Sequence, residues 1–424
     1  MNSLLYGIQD KPKTIKEWSL YALQQVLAVF VATVLIANIC GTPISSCLLG
    51  ACLGTLTYQV ITRFRSPMFI SSSGATVSAV IGALALPGVE AQNYLMVAIG
   101  GLIVALVYII FALIIKFRGI EAINKIFPPI IVGPVTMVIG LNLATFIFGY
   151  TNNSGTWEVA VAILTMLVIA VSSHYFKGFM KTIPFLLGLL FGYIVCVILT
   201  VTGVHEFINF EVFNPSGWSW YPDLVFLKWH TGDFSWSNVG QTAILFIPVA
   251  ICALLEHYSD HKCLSNIIGK DLTVEPGLDK TLIGDGVASA LGTVVCGLPN
   301  TSYGESIATT GFSKVASVWV ITVAALFLGI LSFFAPVNAF IQSIPSCVFG
   351  GCAMILYGYI AASGLKTLIR SKADLEDNKN LITVAVILTT GVSGIFFLSQ
   401  SFAAVSLAMV LGVILNLLLK TKKQ

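Results

Sequence analysis

Pro299-Asn300-Thr301-Ser302-Tyr303-Gly304-Glu305-Ser306-Ile307-Ala308-Thr309-Thr310-Gly311 lies between long apolar runs, at what the flanking sequence makes membrane depth. Pro299, Asn300, Thr301 and Ser302 disfavour helix, and Gly304 lets another group approach the backbone closely. Glu305 is an ionisable residue where such residues are expensive and usually functional. Irregular backbone at that depth survives only where it is buried in protein or lines a watery cavity. The stretch therefore reads as half of a substrate site, and the other half falls near Glu256.

Composition sets the frame. Of 424 residues, 57% are hydrophobic and 10% charged, with mean hydropathy +0.92; soluble domains carry about 25% charged residues. This is the signature of one polytopic membrane domain, all-α in class. Met1 to Lys16 is polar and has no signal-peptide core. The nine cysteines, among them Cys40, Cys47, Cys52, Cys252 and Cys352, show neither CxxC nor metal-finger spacing and read as small buried apolar residues. Nothing indicates a nucleic-acid site.

Apolar stretches near the length of about 20 residues that a bilayer needs run over 17–38, 44–62, 68–88, 93–116, 126–148, 157–176 and 183–204. A second set runs over 240–261, 282–297, 299–313, 314–335, 343–363, 380–397 and 400–419. With fourteen spans and both ends cytoplasmic, all 22 basic residues except Lys228 fall inside, as the positive-inside rule requires. The outer loop at 205–237 carries Trp218, Trp220, Trp229 and Trp236. It reads as an aromatic segment on the outer leaflet, with a ligand lid as the other reading.

The two halves echo each other. Pro128 and Pro345, Gly133 and Gly350, and Met137 and Met354 share one offset of 217 residues. Seven spans per repeat is odd, so the second repeat is inverted, a transporter pattern that places substrate at the repeat interface. Pro67-Met68-Phe69-Ile70-Ser71-Ser72-Ser73-Gly74-Ala75-Thr76 corresponds by position to Pro299–Gly311. Each is expected to be a short extended stretch followed by a half-helix, whose N-terminus presents free N–H groups to a ligand.

Glu256 lies several turns deep in the eighth segment, and Asp260 follows one turn later on the same face. Glu256 has no Lys or Arg at its predicted depth to pair with, so it reads as functional; Glu305 reads either as functional or as a helix cap. Two carboxylates without a buried cation suit a cation or a neutral ligand rich in N–H donors. A planar ring carrying N–H and C=O fits carboxylate acceptors beside free backbone N–H donors. His257 and His261, one turn apart, have a spacing that holds metals, but no third ligand is apparent, and they read as interfacial or relay residues. Asp285-Gly286 reads as a structural pair at the cytoplasmic rim.

At these residues the chain resembles the bacterial uracil permeases of the nucleobase–ascorbate transporter family (nucleobase:cation symporter-2), over nearly its whole length. The specific parts are Pro299-Asn300-Thr301-x-Tyr303-Gly304-Glu305, Glu256-His257, Lys270-Asp271-Leu272 with Glu275-Pro276-Gly277-Leu278, and Leu356-Tyr357-Gly358 with Ala362-Ser363-Gly364. The purine-type members usually open the tenth-segment motif with Gln-Asn, which favours uracil here.

The resemblance implies a core domain from 1–118 and 238–335 and a gate domain from 119–237 and 336–424. It implies a homodimer through the gate and elevator-like sliding of the core that carries nucleobase with a proton, needing no other cofactor. It places the protein in the cytoplasmic (inner) membrane, among lipid. Glu256 and Glu305 would bind uracil N–H groups. Backbone around Gly74, Ala75 and Gly304 would complete the site, with Tyr303 and Tyr357 near it, the latter from the gate.

Three departures stand out. Gln24-Gln25 replaces the relatives' Gln-His, Asp260 stands where they carry histidine, and Gly74 stands where they carry an aromatic. Asp260, held by Gln25, is the expected substitute in proton coupling, alongside Glu256. The rival readings are a carrier of xanthine or another purine, an intramembrane metalloenzyme using His257, His261 and Asp260, and a channel.

Overall fold

The computed structural model describes residues 4–89, 92–144, 155–393 and 403–419. The expected segment ends at 145–148, 394–397 and 400–402, with Lys420, Lys422 and Lys423, lie outside the described residues. The first half of the chain forms α1 (Ile15–Cys40), α2 (Ile44–Ile61), β1 (Ile70–Ser72), α3 (Val77–Leu84), α4 (Tyr94–Arg118), α5 (Glu121–Ile126), α6 (Pro129–Leu143), α7 (Thr156–Tyr175) and α8 (Pro184–Val201). The second forms α9 (Trp236–Ile268), α10 (Leu278–Cys296), β2 (Asn300–Ser302), α11 (Gly304–Ser313), α12 (Val318–Ser332), α13 (Ala335–Gln342), α14 (Ser346–Arg370), α15 (Asn378–Val392) and α16 (Ala403–Leu418). Over the described residues, each of the fourteen apolar stretches overlaps a helix or a strand and the helix after it. Among the described residues, seven helices are long and apolar enough to cross a membrane, or eight if the bent pair α12–α13 is one span.

Helix ends follow local chemistry. Thr14 opens α1 with a capping box: its hydroxyl accepts from the Glu17 N–H, and Glu17 accepts from the Thr14 N–H. Pro128 and Pro345, the matched prolines, sit immediately before α6 and α14. These two helices pack through small residues. A Cβ on Gly364 would lie 2.4 Å from the Gly133 carbonyl, and one on Gly140 would lie 2.5 Å from the Ala361 nitrogen. Apolar helices in lipid gain by such close backbone approach, because no hydrophobic force drives them together.

The helices pack in two groups. Helices α2, α4, α9, α10 and α12 pack on one another, with α1 against α2 and α12. Helices α6, α7, α8, α14, α15 and α16 form the other group. Strands β1 and β2 join in the first group as an antiparallel pair, with Ile70 opposite Ser302, Ser71 opposite Thr301 and Ser72 opposite Asn300. The pair extends at both ends: Ser73 N–H donates to the Pro299 carbonyl (2.8 Å) and Tyr303 N–H to the Phe69 carbonyl (3.1 Å). Two short segments that break helix thus satisfy each other's backbone in a dry interior.

Side chains hold the pair from α2 and α10. Thr55 Oγ donates to the Ile70 carbonyl (2.7 Å), and Asn300 Nδ2 donates to Gly50 (3.0 Å) and Ala288 (3.2 Å) carbonyls. Ser289 donates to the Asn300 carbonyl.

Two connecting segments are also tied down. Near the N-terminus, Leu5 N–H donates to the Lys314 carbonyl (2.8 Å). Ala316 N–H donates back to Tyr6 (2.9 Å), and Val318 N–H to Ile8 (2.9 Å). The tryptophan-rich segment runs through short 3-10 turns, including Phe210–Phe213 and Val225–Lys228. Its Asp233 is 1% exposed and accepts from the Val89 (2.8 Å) and His230 (3.0 Å) N–H groups. Trp236 is not in this segment: it is the first residue of α9, after the Ser235 cap.

Candidate functional site

Between the two groups lies a cavity of about 400 Å³. Its polar wall comes from α9 with Glu256 and from β2 and α11 with Thr301, Ser302, Tyr303, Gly304 and Glu305. Gly74 and Ala75, between β1 and α3, line it as well. The opposite wall is mostly apolar, with Ile139 of α6, Phe185 of α8 and Leu356, Tyr359 and Ile360 of α14. Glu256 opens onto the cavity, and Glu305 lies within its electrostatic reach.

The local chain explains this display. Extended β2 ends at Tyr303, and α11 begins at Gly304 without any side-chain cap on its first turn. Thr76, before α3, likewise makes no side-chain cap. Uncapped first turns leave N–H groups for a ligand. A Cβ on Gly304 would meet nothing within 4 Å, so that side of the backbone is open. At Gly74 a Cβ would come 3.5 Å from Ile360 and 3.8 Å from Ile36, so aliphatic side chains from α14 and α1 border this position.

Asp260 does not pair with Gln25. Its Oδ2 accepts from Ser302 Oγ (2.7 Å), while Gln25 Nε2 donates to Thr310 Oγ (3.2 Å) and the Ser306 carbonyl (3.5 Å) of α11. Gln25 bonds to α11, and β2, itself part of the cavity wall, is what reaches Asp260. Nor does Asp260 pair with Lys262, which binds Asp271 (2.9 Å). Tyr357 is not among the cavity residues: it is 1% exposed, and its carbonyl packs on Gly140 of α6. One helical step carries the ring away from the wall that Leu356, Tyr359 and Ile360 form.

His257, His261 and Asp285 pack inside the protein. All three are fully buried. His257 Nδ1–H donates to Asp285 Oδ2 (2.7 Å). His261 Nδ1–H donates to the His257 carbonyl (2.9 Å), and its Nε2 lies 2.7 Å from the Tyr58 hydroxyl. The polar partners lie on α2 and α10, inside the first group, where α9 sequence alone could not place them. Asp260 meets β2, while His257 and His261 bond to Asp285 and Tyr58. Among the described residues no cluster of three or more His, Cys, Asp or Glu could hold a metal.

The sequence reading missed Lys181, an exposed residue on the turn Gly178–Thr182 that lines the cavity. Its place before Pro184, at the start of α8, was the available signal. It also missed the cavity face of α6, signalled by Thr136 beside the repeated Met137.

Comparison with known proteins agrees with this architecture. The xanthine/uracil permease model, described as "Permease family", matches residues 16–415. A uracil permease of Bacillus caldolyticus is 34% identical over 432 residues, covering 100% of this chain and 96% of the relative. The uracil permease of Bacillus subtilis (strain 168) is 34% identical, covering 99% and 96%. That of Escherichia coli (strain K12) is 32% identical, covering 98% and 94%. Among solved structures, the transmembrane domain of the cyanobacterium bicarbonate transporter BicA superposes with TM-score 0.66 at 12% identity, covering 96% of this chain and 98% of that one. SLC26A9 gives 0.64 at 14%, covering 95% and 66%. These structures establish a shared fold.

The family match and the named relatives make the chain a multi-pass membrane permease, a transporter and not an enzyme. The chain belongs to the xanthine/uracil permease family.

Proposed function

We propose that the chain is a proton-coupled symporter that imports uracil across the cytoplasmic membrane. The observation that carries this reading is the convergence of Glu256, Glu305 and the uncapped start of α11 on one cavity. Uracil offers ring N–H donors and carbonyl acceptors in one plane. Its N–H groups suit the two carboxylates, and its carbonyls suit the α11 N–H groups. The apolar wall of Phe185, Leu356 and Ile360 would cover its faces. Relatives at 34% identity along the whole chain carry the name uracil permease.

In this reading the first helix group is the moving core and the second the gate, which also forms a homodimer. Fourteen spans as two inverted repeats leave both termini in the cytoplasm. The cavity lies between the groups, where sliding of one past the other would carry the ligand across. Asp260, held by Ser302 on the strand that enters the ligand wall, is placed to couple proton and substrate. A purine is the alternative ligand: no aromatic ring stands at Gly74, and the space beside Gly304 is open.

Uptake of labelled uracil into proteoliposomes, with and without an inward proton gradient, tests the proposal. Accumulation above equilibrium only with the gradient, displaced by unlabelled uracil and not by xanthine, is the expected result. Displacement by xanthine alone assigns the purine reading, and passive non-saturable flux assigns a channel.

A further inference from the structure

The back of α9 holds a polar pair that the transport scheme does not use. His257 follows Glu256 directly, and its Nδ1–H reaches Asp285 Oδ2 of α10 over 2.7 Å. Neither side chain has exposed surface. Helix α10, which carries Asp285, is in turn bonded to β2: Ser289, one turn after Asp285, donates to the Asn300 carbonyl, and Asn300 Nδ2 donates to the Ala288 carbonyl (3.2 Å). Strand β2 runs straight into Tyr303, Gly304 and Glu305. Through α10, polar contacts therefore link the backbone that carries Glu256 to the strand that leads into Glu305. His257 Nε2 is buried without a hydrogen-bond partner, so the Nδ1 contact is the one that holds the ring.

A buried polar pair of this kind is weak evidence for stability, because well-packed apolar residues often serve as well or better. Its cost is justified where geometry must be fixed. A ligand that spans two carboxylates is such a case, since supporting contacts must hold the site to within a fraction of an ångström. We propose that His257 and Asp285 are positioning residues: together they brace α9 against β2 and set the spacing between Glu256 and Glu305. Asp260 grips β2 at Ser302 from the front, and α10, which Asp285 ties to α9, holds it from behind at Asn300. The inference rests on the nucleobase reading of the cavity.

The test uses the full-length protein in nanodiscs. One readout is equilibrium binding of labelled uracil. The other, independent of ligand, is the distance between nitroxides on the exposed Cys263 of α9 and on a cysteine replacing the exposed Phe312 of α11. The double variant His257→Leu/Asp285→Leu removes both polar partners at once, so that neither member of the pair is left buried without the other. It is expected to fold, to bind uracil about tenfold more weakly, the size of one buried hydrogen bond to a charged group, and to show a broader distance distribution.

His257→Asn keeps a donor near the Nδ1 position and is expected to retain most of the affinity. His257→Gln places its donor near Nε2 and is expected to lose it. Equal affinities for these two variants, or a double variant with wild-type affinity and distances, would overturn the brace. If the wild type binds no uracil, the nucleobase reading fails, and the distance distribution alone decides the brace: broadening supports it and an unchanged distribution refutes it.

Discussion

Two faces of α9 carry titratable residues in adjacent positions and put them to opposite uses. Glu256 opens onto the cavity, and Asp260, one turn on, meets Ser302 at its edge. His257 and His261 are sealed on the other side among Asp285, Tyr58 and Ser66. A helix turns about 100° per residue, so one position separates the cavity face from the packed interior. The difference teaches that polarity at membrane depth is of two kinds. One kind borders a cavity, and the other is matched deep within the protein.

Substitutions on each face sharpen the contrast. The largest effect is expected from Glu256→Ala, which removes a charged acceptor from the ligand. A loss of about 1.5–3 kcal/mol, read as at least tenfold weaker uracil binding with an unchanged melting temperature, is the expected outcome. Near-normal binding would show that the open face is not the ligand face.

Asp260→Asn keeps an acceptor for Ser302 and removes the titratable group. Equilibrium binding should stay within about threefold, under the contribution of one neutral hydrogen bond, while gradient-driven uptake falls further than exchange without a gradient. Full proton-driven accumulation would move coupling to Glu256 or Glu305.

Tyr58→Phe breaks the closed face instead. It removes a hydroxyl lying 2.7 Å from His261 and 2.9 Å from Ser66, so about 1 kcal/mol of stability should go, visible as a lower melting temperature with uracil affinity intact. A change in affinity larger than the change in stability would show that the closed face reaches the ligand.

The smallest effect is expected at the exposed cluster beyond the C-terminal end of α9. Lys270, then Arg65, hold the Glu275 carboxyl below its ordinary value of 4.5. A depressed carboxylate stabilises the fold above its unfolded value and loses that contribution as pH falls through the lower folded value. Glu275→Gln should therefore match wild type in transport near neutrality. It should also flatten any loss of stability seen below pH 4.5. Reduced transport at pH 7 would mean that this cluster is more than a surface tie.

Much of this architecture is legible in the sequence. Helix-breaking residues at Pro67–Ser73 and Pro299–Ser302 announce two interrupted segments, and Glu256 and Glu305 stand out because charge at depth is costly. That β1 and β2 pair is not legible, since three residues on each side carry no register signal. The partner of Asp260 is also hidden: spacing shows which face a residue takes but not which side chain across the gap reaches it first. Asp285 is misplaced for a related reason. The sequence puts it near the start of a segment, and only packing against α9 and β2 shows that this start is interior. The tyrosine beside Leu356 is misplaced by one helical step, within the error that a motif match leaves on a helix face.

The strand-like contact between the first described residues and the linker after α11 bears on how the protein is handled at the bench. Leu5, Tyr6 and Ile8 exchange backbone hydrogen bonds with Lys314, Ala316 and Val318, immediately beyond the helix that starts with Gly304 and Glu305. A fluorescent reporter or affinity handle fused just ahead of Leu5 hangs its bulk on that clasp. A long flexible spacer keeps such a fusion from being mistaken, in a transport assay, for a lesion in the binding site.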